Sequence, residues 1–120
     1  MSQTANSGSG SRMLLMMART GFLVAFLLGL GGHFGVYLYG GAVLWIHIVF
    51  GLLFLVPAWM LPASAGKPAL AMWGAILATT GAALAAIGAL WAPGLPVWPH
   101  VVLMIVAIGL VEMGSRRRRA

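Results

Sequence analysis

His33-Phe-Gly-Val-Tyr37-Leu-Tyr39-Gly40-Gly41-Ala-Val-Leu-Trp45-Ile-His47 is the stretch on which the reading of this chain turns. Two adjacent glycines stand at its centre, and long apolar runs lead away on both sides. Taken as the turn of a helical hairpin, Gly40-Gly41 puts a histidine about 8–10 Å below it on each arm, at roughly 1.5 Å rise per residue. His33 and His47 are then expected at matching depth on neighbouring helices.

The rest of the chain has the composition that such a hairpin needs. Of its 120 residues 62% are hydrophobic and 7% charged, against roughly 25% charged in a soluble domain. So few polar side chains could not cover a water-facing surface, so the bilayer is the expected solvent. The chain has no cysteine, which excludes disulfides, thiolate metal sites and cysteine nucleophiles. The net charge of +6 does not indicate nucleic acid as a partner. Arg12, Arg19, Lys67 and the run Arg116 to Arg119 all lie outside the apolar segments or at their ends, with no basic stripe among aromatics.

Turn and breaker residues divide the chain into four spans, and the expected fold is an all-α transmembrane four-helix bundle. Residues 1–12, rich in glycine and serine, cannot bury enough apolar surface to order themselves and read as a disordered cytoplasmic tail. Residues 13–115 form the membrane domain, with helices expected over 20–39, 42–61, 68–91 and 97–113. The second ends at Pro62, the third starts at Pro68, and Pro93 to Pro96 separates it from the fourth. A span of this length matches the ~30 Å hydrocarbon thickness. Residues 116–120 are a polybasic tail.

Four spans place both termini on one side. Assigning the arginine-bearing ends to the cytoplasm also puts Lys67 there, so every cation obeys the positive-inside rule. The expected location is a bacterial inner membrane with both termini cytoplasmic. Arg116, Arg117, Arg118 and Arg119 would meet anionic lipid head groups.

Lipid removes the hydrophobic drive for helix association, so small residues should mark the packed faces. Gly21, Ala25 and Gly29 recur at i+4 and lead to His33 and Tyr37. The third helix carries alanines at 71, 75, 78, 82, 85 and 89 beside Gly74, Gly81 and Gly88. On the second helix His47, Gly51 and Ala58 share a face, and on the fourth His100, Met104, Ala107 and Val111 do. Each histidine is therefore expected on a packing surface.

These imidazoles are the groups best suited to specific chemistry. Neutral histidine is an axial ligand for haem b or for the magnesium of a chlorin, and helical bundles hold such groups between facing helices. His33, His47 and His100, with Tyr37 and Trp45 nearby, form the candidate cofactor site. The competing expectation is structural, each histidine donating to a carbonyl on a neighbouring helix. A haem at the outer face would also lack the Arg or Lys its propionates usually find, whereas a chlorin needs neither. Glu112, the one acidic residue, lies four before Arg116, where an ion pair forms readily, and Thr79 and Thr80 can bond their own i−4 carbonyls.

No catalytic set and no resident metal site is expected: the chain has no Ser/His/Asp combination, no paired carboxylates, no phosphate loop and no HExxH. The function expected is that of a non-catalytic accessory subunit in a larger respiratory or photosynthetic electron-transfer complex, with other membrane subunits as partners. The alternatives are a small cytochrome-like or pigment-binding protein using those histidines, and a small oligomeric transporter.

Overall fold

The computed structural model describes residues 2–35, 41–92 and 94–116, with side chains from residue 9 onward. Four α-helices run in order: α1 (Ser2–His33), α2 (Gly41–Met60), α3 (Pro68–Trp91) and α4 (Trp98–Ser115), with a 3-10 turn at Leu61–Ser64. All four are long and apolar enough to cross a membrane. The chain is the all-α, four-helix transmembrane class that its sequence predicts. It divides into two compact units, Met1–Pro57 and Ala58–Ala120.

In the first unit α1 and α2 pack through a small-residue seam. Gly21 lies so close to α2 that a Cβ there would come within 2.6 Å of both the Phe50 carbonyl oxygen and the Phe54 nitrogen. Phe54 is fully buried, and its ring meets Phe22 edge-on at 5.6 Å between centroids. The expected α2 face holds at two of its three members: His47 reaches α1 and Ala58 is fully buried, with Phe54 on the same face at helical spacing, whereas Gly51 has nothing within 4 Å of its Cβ position. Gly21 thus meets the α2 backbone itself between Phe50 and Phe54, while the Phe54 ring is taken up by Phe22 beside it.

The ends of α1 also differ from expectation. The helix begins at Ser2, inside the segment whose composition predicts no order; continuing an existing helix avoids the nucleation step that this glycine- and serine-rich segment could not meet alone. At the other end it stops at His33 instead of continuing to residue 39. Phe34 N–H donates to the Leu30 carbonyl and Gly35 N–H to that of Gly32. Gly35 then turns the chain with φ +75°, a left-handed conformation that glycine adopts without steric cost and that commonly closes helices.

The second unit is an antiparallel pair, α3 against α4, with the 3-10 turn laid against both. Ala71, Gly74, Ala75, Ala78 and Gly81 are buried. Facing them are Ala107, Val111 and Gly114. A Cβ on Gly74 would reach 2.7 Å from Val111 Cγ2 and 3.0 Å from the Ala107 oxygen. The alanine seam is thus buried over its first half; Ala82 and Ala85 are half-buried and Ala89 exposed. At the base, Lys67 N–H donates to the Gly114 carbonyl at 2.9 Å, satisfying one of the acceptors that a helix C-terminus leaves open. Thr79 and Thr80 bond the carbonyls of Ala75 and Ile76, as their positions predict. Thr79 Oγ1 also accepts from Trp59 Nε1 at 2.8 Å.

Close approach at Gly21 and Gly74 makes each intolerant of a single methyl. Gly21→Ala and Gly74→Ala are expected to destabilise the protein by about 1–3 kcal/mol through overpacking. Gly51→Ala and Gly109→Ala, whose Cβ would meet open space, are expected to be neutral or slightly stabilising. Tryptophan fluorescence during SDS titration of the reconstituted protein reads the difference.

Candidate functional site

Histidine geometry differs between the three positions. His47 lies two turns into α2 and is half-buried. Its Nδ1 donates to the Ala25 carbonyl of α1 at 2.8 Å. The ring rests on Gly29, where a Cβ would stand 3.3 Å from His47 Cε1. The small residues of α1 thus do two things: they admit the imidazole, and they leave a carbonyl within its reach.

His100, in the first turn of α4, repeats this arrangement in the second unit. Its Nδ1 donates to the Gly81 carbonyl of α3 at 2.9 Å. Gly81 also admits Leu103 and the Met104 sulfur, each 3.1 Å from the position of its absent Cβ. A carbonyl oxygen can only accept, so Nδ1 carries the proton in both rings. In the neutral imidazole Nε2 is then the acceptor nitrogen.

His33 is different. It is the last residue of α1 and is exposed, with its ring edge-on to Phe34 at 5.2 Å. The expectation that His33 and His47 lie at matching depth on a shared packing face is corrected: His47 packs on Gly29, one turn before His33, and the helix ends where a packing face would have continued. Trp45 is 67% exposed. Tyr37 lies outside the described residues, as do Arg117, Arg118 and Arg119. Glu112 is half-buried near the end of α4. Among the described residues no three His, Cys, Asp or Glu side chains come together as a metal-binding group.

Ala25 and Gly81, whose carbonyls accept these bonds, are expected on the packed faces but not as histidine partners, yet a sequence signal for the arrangement exists. Trp45-Ile-His47-Ile-Val49 recurs as Trp98-Pro-His100-Val-Val102, 53 residues later. The same offset carries Ala18, Gly21, Ala25, Gly35 and Gly41 onto Ala71, Gly74, Ala78, Gly88 and Gly94 without a gap. The packing follows this register: Gly21 meets Phe54, and Gly74 meets Ala107, again 53 apart. The two hairpins are therefore variants of one pattern, a small-residue first helix and a second helix opening with Trp-x-His-(Ile/Val)-Val. They differ in one detail, since His100 bonds Gly81 and not Ala78, the counterpart of Ala25.

These observations define a class, an α-helical integral membrane protein made of two similar hairpins, each clamped by a histidine. Comparison with protein-family models, with curated proteins and with solved structures gives no match.

Loss of either clamp is expected to have a similar and modest cost. His47→Ala and His100→Ala should each destabilise the protein by about 0.6–1.7 kcal/mol, the range for side-chain hydrogen bonds between membrane helices. His33→Ala should cost less than either. The same SDS titration checks all three.

Proposed function

We propose that the chain is a non-catalytic accessory subunit of a larger membrane complex, of the respiratory or photosynthetic electron-transfer kind. The observation that carries this reading is an uncovered small-residue face on α3. Thr79, Ala83 and Ala86, spaced i, i+4 and i+7, are all exposed. Small faces serve backbone approach between helices, and lipid tails gain nothing from them. A helix of another subunit would. Both termini on the cytoplasmic side of a bacterial inner membrane, with the arginines at the lipid surface, complete the proposal.

A second reading, ligation of a haem b or chlorin, is favoured by one specific feature. His47 and His100 each direct Nδ1–H to a backbone carbonyl, the interaction that fixes tautomer and ring orientation in metal-ligating histidines. Against it, a bond to a neighbouring helix is also what a purely structural histidine makes in lipid, and unit-by-unit packing accounts for both rings without a ligand.

Mild-detergent extraction followed by native electrophoresis and a visible spectrum distinguishes these readings. The accessory-subunit reading expects comigration with other membrane subunits, weakened by Ala83→Leu or Ala86→Leu; migration of the chain alone would sink it. A Soret or chlorin band in the purified chain, lost in His47→Ala, would move the assignment to the second reading.

A further inference from the structure

The first unit has an unbalanced charge. Its cations are Arg12 and Arg19, and residues 1–57 include no carboxylate at all. Any anion that Arg12 meets at this end of α1 therefore comes from elsewhere.

The membrane-length part of α1 runs from Ser9 to His33, 25 residues, or about 37 Å at 1.5 Å per residue. This exceeds the ~30 Å hydrocarbon layer. The two arginines place the surplus at the N-terminal end, within the head-group zone. Yet the residues between them are apolar, and on one side they are uncovered: Met13 is 64% and Met16 63% exposed. A groove opens here, lined on α1 by Ser9, Arg12, Met13, Met16 and Thr20 and on α2 by Leu53. Ser9 and Arg12 stand at the end nearer the chain terminus and Thr20 at the other, with Met13 and Met16 between them along the helix.

We infer that this groove holds an anionic phospholipid of the leaflet at the N-terminal end of α1. The lipid phosphate takes charge-assisted hydrogen bonds from the Arg12 guanidinium, with the Ser9 hydroxyl beside it. One acyl chain lies along Met13, Met16 and Leu53. Methionine suits that role, because its unbranched, polarizable side chain adapts to a flexible partner. The head group thus supplies the anion that the unit lacks, and the chain covers methionines that would otherwise stand in the polar layer. This site is distinct from the diffuse attraction of the C-terminal arginines, and it does not depend on the accessory-subunit reading.

The test uses the full chain in nanodiscs of equal phosphatidylcholine and phosphatidylglycerol, released into detergent, with retained lipid counted by native mass spectrometry. The wild type is expected to retain phosphatidylglycerol about five-fold over phosphatidylcholine, the scale set by one basic residue at a lipid surface. Arg12→Gln should remove that preference, Met16→Ser should lower retention of both lipids, and Arg116→Gln should leave the preference in place. Arg12 and Met16 lie outside the packed seam and Arg116 is exposed beyond α4, so the fold is retained in each. Equal retention of both lipids by the wild type overturns the inference, as does a preference that survives Arg12→Gln or vanishes with Arg116→Gln alone. A wild type that retains no lipid because a protein helix fills the groove overturns it as well.

Discussion

Backbone approach is the constraint on which this structure depends. Lipid tails are as apolar as the side chains they meet, so helices gain little by hiding leucine from lipid. What holds a hairpin together is dispersion between surfaces brought within contact distance, and individual contacts are small, so they must be many. Gly21 and Gly74 meet that need directly, because each lies where a methyl group would overlap backbone atoms of the partner helix. Both partners are then forced to present a surface of matching relief: Phe54 over Gly21, Ala107 and Val111 over Gly74.

That closeness creates a polar opportunity as well. A helix carbonyl at a small residue is screened by at most a methyl group, and an imidazole on the facing helix can reach it. Ala25 and Gly81 are used in this way. Because an unmade hydrogen bond in hydrocarbon costs more than one in water, a histidine in this position is tied to the register of the hairpin. Sliding one helix by a turn would strand the N–H. The small seam brings the helices together without fixing which residues face each other; the histidine adds a preference for one alignment.

How far the sequence alone revealed this varies with the physical signal. Span number and type follow from apolar length and from proline and glycine, and α3 starts and stops where Pro68 and the Pro93–Pro96 segment require. The packed face of α4 follows from spacing, with Ala107 and Val111 buried. The face of α2 follows from spacing too, since Phe54 and Ala58 lie on it and are fully buried, but spacing does not show that Gly51 on the same face makes no close contact. The end of α1 was hidden for another reason: a hydropathy run continues through Phe34 and Val36, while the backbone has already turned at Gly35. Hydropathy registers lipid preference and is silent about φ.

The 53-residue offset bears on what the histidines are for. A clamp needs only a partner carbonyl, and can be used again wherever the same hairpin is built. His47 and His100 occur at equivalent points of two similar hairpins, each bonded inside its own unit. Even the difference between them fits the clamp: His100 takes a carbonyl three residues beyond the counterpart of Ala25, at Gly81, which has no side chain of its own. The choice follows local clearance and not a fixed ligand geometry, so the structural role explains both rings with one rule, and a cofactor role would have to be laid over it.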